Sequence, residues 1–77
     1  MNQFPGVDRK KTGMRLKALL EVHGYTVAMV QEYLGLSCPQ TIYRWFEGRN
    51  IPSVDNLYAM SYLLKVPMDC LIEGDGK

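Results

Sequence analysis

Histidine occurs once in this 77-residue chain, as His23, and cysteine twice, as Cys38 and Cys70. One histidine leaves little material for a metal site or a histidine-based catalytic constellation. Two cysteines are too few for a disulfide framework and fit a reduced, cytoplasmic protein better. No run of residues approaches the roughly 18–20 apolar positions that a membrane span needs. The opening MNQFPGVDRKKTG lacks an apolar block after a basic start, so it does not read as a secretory signal. No stretch alternates convincingly in the way a half-buried strand does. Together these shortages argue against an enzyme, a secreted disulfide scaffold and a membrane protein. They also give no reason to expect a cofactor, a membrane partner or a small-molecule ligand.

What is present suits one small domain. Apolar residues make up 47% and charged residues 22%, an ordinary globular balance. Gly and Pro divide the chain into short segments with helical spacing. Leu16, Leu19, Leu20 and His23 predict a first helix from about Lys10 to Val22, stopped at Gly24. Thr26 offers an N-cap to a second helix with Val27, Val30 and Leu34 on its apolar stripe, ending at Gly35. Pro39, at a first helical position, opens a third with Ile42, Trp45 and Phe46 inward and Gly48 as its stop. Ser53 caps a fourth that places Val54, Leu57, Met60, Ser61 and Leu64 on one face. A last helical turn from Pro67 or Met68 brings in Leu71 and Ile72. The expectation is an all-α bundle of five short helices spanning residues 10–72. It is preceded by a flexible arm (1–9) and followed by a polar, frayed tail (73–77).

The net charge of +1 hides an asymmetry. Residues 1–50 carry seven Lys/Arg against four Asp/Glu, a net +3, and residues 51–77 carry two against four, a net −2. Arg9, Lys10, Lys11, Arg15 and Lys17 lie within nine residues. Such a run is either a solvated helix face or a surface for an anionic polymer. The second and third helices, joined by a short turn at Gly35, have the form of a helix-turn-helix. Such a unit needs a residue that can turn left-handed at the reversal and apolar groups that lock the two helices together (Val30, Leu34, Ile42, Trp45). It also needs an outward face that reaches base edges, here Gln40, Thr41, Tyr43 and Arg44. Two short helices around a glycine also occur by chance in many helical proteins.

An ordered series of anchors narrows the choice. Gly24 and Thr26 stand before the second helix and Leu34-Gly35 at its end. Thr41-Ile42, Arg44-Trp45 and Glu47-Gly48 follow, then Pro52-Ser53, and the closing stretch from Leu64 to Ile72. In this order and spacing the chain resembles a Cro/repressor-type (XRE family) helix-turn-helix domain over about two-thirds of its length. The resemblance implies a lambda-repressor-like fold and a sequence-specific transcriptional regulator of double-stranded DNA, usually a homodimer, from bacteria or their phages. It places the third helix in the major groove, with Gln40, Thr41, Tyr43 and Arg44 as base-contacting candidates. Thr26, Arg49, Asn50 and Ser53 become phosphate-contacting candidates. Met68, Leu71, Ile72 and Tyr62 are candidates for a dimer contact.

Several positions depart from that pattern. The turn after Gly35 is one residue longer than in most relatives, and Cys38 stands where a better cap would be expected. Val27 opens the second helix where a phosphate-touching Gln is frequent. Gln31 replaces a usual Ala where the two helices cross, and Lys65 a frequent Gly after the fourth helix. Cys38 is either a tolerated cap or a redox-sensitive thiol at a helix N-terminus. Tyr43 could press on a thymine methyl or hydrogen-bond a phosphate. Tyr58 and Tyr62 could form a partner surface or shield the core edge. The competing class is a helical protein-interaction module, antitoxin- or anti-repressor-like, supported by the small net charge, the apolar start of helix two and the surface tyrosines.

Overall fold

The computed structural model describes residues 6–74. Its elements are α1 (Arg9–Val22), α2 (Val27–Leu34), α3 (Gln40–Glu47), α4 (Val54–Leu64) and a final 3-10 turn (Met68–Leu71). The all-α expectation therefore holds with four α-helices rather than five. The fifth segment is too short for an α-helix: Lys65 ends α4 in a left-handed conformation, Pro67 stands at the N-cap of the next turn, and that four-residue turn takes the 3-10 form. Among the described residues there is no β-strand, only an isolated antiparallel bridge between Val7 and Gly74.

Side-chain caps set three of the starts. Asp8 accepts the Lys11 N–H, so α1 begins at Arg9, one residue before the predicted Lys10. Thr26 and Ser53 cap α2 and α4 as predicted, taking the N–H of Met29 and Asn56. Val54 was expected to face the core. It stands 71% exposed instead, on the outer stripe of α4 that Tyr58 and Tyr62 continue at four-residue spacing.

The core gathers one or more residues from every element: Leu16, Leu20, Val30, Ile42, Trp45, Leu57, Met60, Leu64 and Leu71. Leu71 is fully buried, and Met68 and Ile72 pack against the same cluster. Of the four residues suggested for a dimer contact, Leu71 is spent on the domain's own interior, and Met68 and Ile72 are half-buried against it. Of that set only Tyr62 remains exposed.

The α1–α3 joint rests on the absence of side chains. A Cβ on Gly13 would lie 2.0 Å from the Trp45 carbonyl oxygen, and one on Gly48 would lie 2.9 Å from the Lys10 Cα. The two helix backbones approach until only hydrogen fits between them, and no spacing rule applied to α1 alone reveals this.

The ends of the domain also meet. The Asp8 N–H donates to the Glu73 carbonyl at 2.8 Å. The buried Thr12 hydroxyl accepts the Glu73 N–H at 3.0 Å, and Arg15 pairs with the Glu73 carboxylate while donating to the Cys70 carbonyl. Glu73, expected as frayed tail, is thus tied to α1, and Val7 and Asp8 of the expected arm meet Gly74 and Glu73. Residues 1–5 and 75–77 of those two segments lie outside the described residues.

Candidate nucleic-acid interface

The N-terminus of α2 is closed by a reciprocal cap. Thr26 Oγ1 accepts the Met29 N–H at 3.1 Å, and Met29 Sδ accepts the Thr26 N–H at 3.4 Å, a thioether standing where Glu or Gln usually does. The Thr26 hydroxyl keeps its own proton free to donate, and the first N–H groups of the helix point outward past it. Those groups can meet an anion although Val27 cannot.

The turn between α2 and α3 pivots on Gly35, at φ 70° and ψ 30°. Gln31, out of place by family pattern, closes this turn: its Nε2 donates to the Leu36 carbonyl at 3.3 Å. A longer turn carries one more carbonyl to satisfy, and an amide side chain at the crossing reaches it where Ala could not.

The structure starts α3 at Gln40 and makes Pro39 its N-cap, one position earlier than the first helical position expected of it; Pro39 takes helical angles, and its carbonyl accepts the N–H groups of Ile42 and Tyr43. Just before it lies Cys38, half-buried and free. Partial burial pushes this thiol up. The polar groups of Thr41 and Gln40 and the charge of Arg44 outweigh that and hold it below its ordinary value. No side chain caps α3, so the cap expected of Cys38 is not formed.

Along α3 the two faces separate. Ile42 is fully buried and Trp45 nearly so, while Gln40, Tyr43 and Arg44 are exposed. Thr41 is half-buried, at the boundary between the two faces. Past the helix, Arg49 and Asn50 are exposed. Arg49 pairs with Glu47 at 2.9 Å, and its carbonyl receives Arg9 Nη1 at 3.4 Å. Ser53 lies one short loop further on, with its oxygen engaged as the α4 cap.

The basic run on α1 is divided by the fold. Arg15 turns to Glu73 and Arg9 to the Arg49 carbonyl, whereas Lys17 lines a groove of about 560 Å³ between α1, the start of α2 and the outer edge of α3. Thr26 and Tyr43 line the same groove, with Phe46 at its side. The Tyr43 ring meets Phe46 edge to face, centroids 6.2 Å apart. Lys17 was counted in the sequence only as one charge of a run, and the pattern of α1 contains no signal for which member would reach α3. Among the described residues no group of His, Cys, Asp and Glu is placed to hold a metal ion. No helix there is long and apolar enough to cross a membrane.

The arrangement has close structural counterparts. The restriction-modification controller protein C.AhdI from Aeromonas hydrophila superposes with a TM-score of 0.73 at 22% identity, covering 83% of this chain and 96% of that one. The DNA-binding domain of BldD aligns with a TM-score of 0.70 at 21% identity over 86% and 94% of the two chains. The S. venezulae BldD DNA-binding domain gives the same score and identity over 86% and 97%. No curated protein matches the sequence significantly. The family profile described as Helix-turn-helix matches residues 16–69, which includes α2, the Gly35 turn and α3 entire. With that match over most of its length, the chain belongs to the helix-turn-helix family.

Proposed function

We propose that this helix-turn-helix protein is a transcriptional regulator that binds double-stranded DNA sequence-specifically, acting as a repressor by occupying its site. The observation that carries this is the division of α3: Ile42 and Trp45 anchor it in the core while Gln40 and Arg44 stand free on its outer face. Gln offers a paired donor and acceptor to adenine N6/N7, and Arg a fork to guanine O6/N7, each worth about 1–3 kcal/mol of discrimination. Thr26, Arg49, Asn50 and Ser53 border the helix at its two flanks, where phosphates run beside an occupied major groove. Thr41 is the weakest of the base-contacting candidates, since it is half-buried while Gln40, Tyr43 and Arg44 are exposed. Two free cysteines fit a reducing cytoplasm.

A domain of this size reads too few base pairs to be specific as a monomer against a genome of competing sites. Its working form is a two-fold dimer on half-sites about 34 Å apart. The face open to a second copy is the outer stripe of α4, where Val54, Tyr58 and Tyr62 recur every four residues at 64–75% exposure. An antiparallel pairing about Tyr58 would set Val54 against Tyr62 of the other copy and bring the acidic first turn (Asp55) toward the end that carries Lys65.

Selection of bound sequences from a random duplex library, followed by a salt titration of binding, tests the reading. A defined motif and a steep loss of affinity with salt are expected. A stoichiometric protein partner in place of salt-sensitive duplex binding would replace it with the protein-interaction alternative. Sedimentation showing a monomer both free and on the selected duplex would remove the dimer.

A further inference from the structure

We propose that the groove between α1 and α3 is a seat for the DNA backbone, built from Lys17, Thr26 and Tyr43, so that Tyr43 grips phosphate and sugar and does not read a base. This rests on the DNA-binding reading above and assigns a part of that surface which the sequence left open. Three observations converge on it.

The first is placement. Thr26 on α2 and Tyr43 on α3 are far apart in sequence yet line one groove, and the third element lining it is α1, which contributes Lys17. The Tyr43 ring meets Phe46 edge to face, and both rings line the groove with Lys17 and Glu21 of α1. A ring held there presents its hydroxyl to whatever fills the groove.

The second is hydrogen-bonding capacity. The Thr26 oxygen already accepts the Met29 N–H, which leaves its proton to donate. The Tyr43 hydroxyl and the Lys17 ammonium have no hydrogen-bond or ion-pair partner among the described residues. Three donors without competing acceptors suit a phosphodiester, which brings acceptors only.

The third is charge. Lys17 is the only cation lining the groove. The groove also holds two carboxylates: Glu47, which is neutralised by its pair with Arg49 at 2.9 Å, and Glu21, which is not paired. Lys17 therefore attracts a phosphate and Glu21 opposes it, one helical turn apart on α1. The seat is predicted to work below its full strength.

Opposite signs at neighbouring positions make the test sharp. Lys17→Gln, Glu21→Gln and Tyr43→Phe are each titrated by fluorescence anisotropy, across a series of salt concentrations. The probes are the library-selected duplex and a scrambled duplex of equal length, with circular dichroism confirming the fold. Lys17→Gln is expected to weaken both duplexes by the same factor and to make the plot of log affinity against log salt shallower by about 0.9. Glu21→Gln is expected to strengthen both. Tyr43→Phe, which removes only the hydroxyl, is expected to weaken both equally, and repeated library selection with it should return the wild-type motif.

A changed motif for Tyr43→Phe, or an unchanged salt slope for Lys17→Gln, overturns the seat while leaving DNA binding in place. Absence of salt-sensitive duplex binding by the wild-type protein overturns the underlying reading and the seat together.

Discussion

On its inner side α3 buries Ile42 and Trp45 and lays its backbone against Gly13 of α1; on its outer side Gln40, Tyr43 and Arg44 stand in solvent. Eight residues thus serve two purposes with little overlap. The inner side is close-packed, so a change of one methyl group is felt as a collision or a void. The outer side touches little of the protein, so its residues can be chosen for a partner without cost to the fold. Gln40 and Arg44 tolerate change on those grounds, whereas Thr41, half-buried, belongs to neither side.

The largest effects are expected where the inner side is broken. Trp45→Ala deletes the largest side chain of the core and should cost about 3–5 kcal/mol, enough to unfold a domain of this size, as read by thermal or urea denaturation. Gly13→Ala should come close behind. Its methyl group would lie 2.0 Å from the Trp45 carbonyl oxygen, and forcing α1 and α3 apart costs about 3 kcal/mol, against which the gain in helix propensity of about 1 kcal/mol is small. A folded Gly13→Ala protein of wild-type stability would show that the joint is looser than its geometry.

Changes on the outer side should move binding and leave the fold alone. Gln40→Ala and Arg44→Ala are each expected to stay within about 0.5 kcal/mol of wild-type stability. Each should lose about 1–3 kcal/mol of discrimination at its own base position, seen by repeating the library selection. A double variant that selects the unchanged motif would mean that α3 does not read the groove with this face.

A smaller contrast lies between the helix ends. Lys65 closes α4 at φ 59°, the only non-glycine residue at positive φ among those described, a conformation that costs a side-chain-bearing residue about 1–2 kcal/mol. Lys65→Gly should relieve part of this and raise stability by roughly 0.5–1 kcal/mol in urea titration, the looser unfolded chain offsetting the rest.

The smallest effect concerns the Cys38 thiol, which makes a signed prediction with pH. Its folded-state value lies below the ordinary one, so above that value the unfolded chain holds the proton more tightly than the folded one does. Stability from this group is present at alkaline pH, above the thiol's unfolded value, and is lost as pH falls through the folded value. Urea titrations from neutral to alkaline pH should show a rise in the wild type that is missing in Cys38→Ser. An equal rise in both would assign it to another group.

The elements themselves were legible in the chain because helix signals are local. Thr26 and Ser53 cap their own helices through residues three positions away, and Gly35 and Gly48 end theirs by adopting left-handed angles available to glycine without strain. The division of α3 was legible too, since periodicity alone sets Ile42 and Trp45 opposite Gln40 and Arg44. Local rules failed at Val54, whose spacing fits both the inward Leu57 three residues on and the outward Tyr58 four residues on. They failed again at Met68, Leu71 and Ile72, whose apolar character cannot say whether their own core or another chain covers it.

The sequence by itself therefore determined the helices, their caps and the outward residues of α3, because these follow from interactions within a few positions of the chain. Only the tertiary structure decided that Gly13 is indispensable at a backbone crossing, that Thr12 and Arg15 hold Glu73, and that Gln31 completes the longer turn. It alone brought Lys17, of five clustered cations, beside Thr26 and Tyr43. Each of these depends on the distance and angle between segments remote in sequence, which packing of the whole core sets and no local pattern encodes.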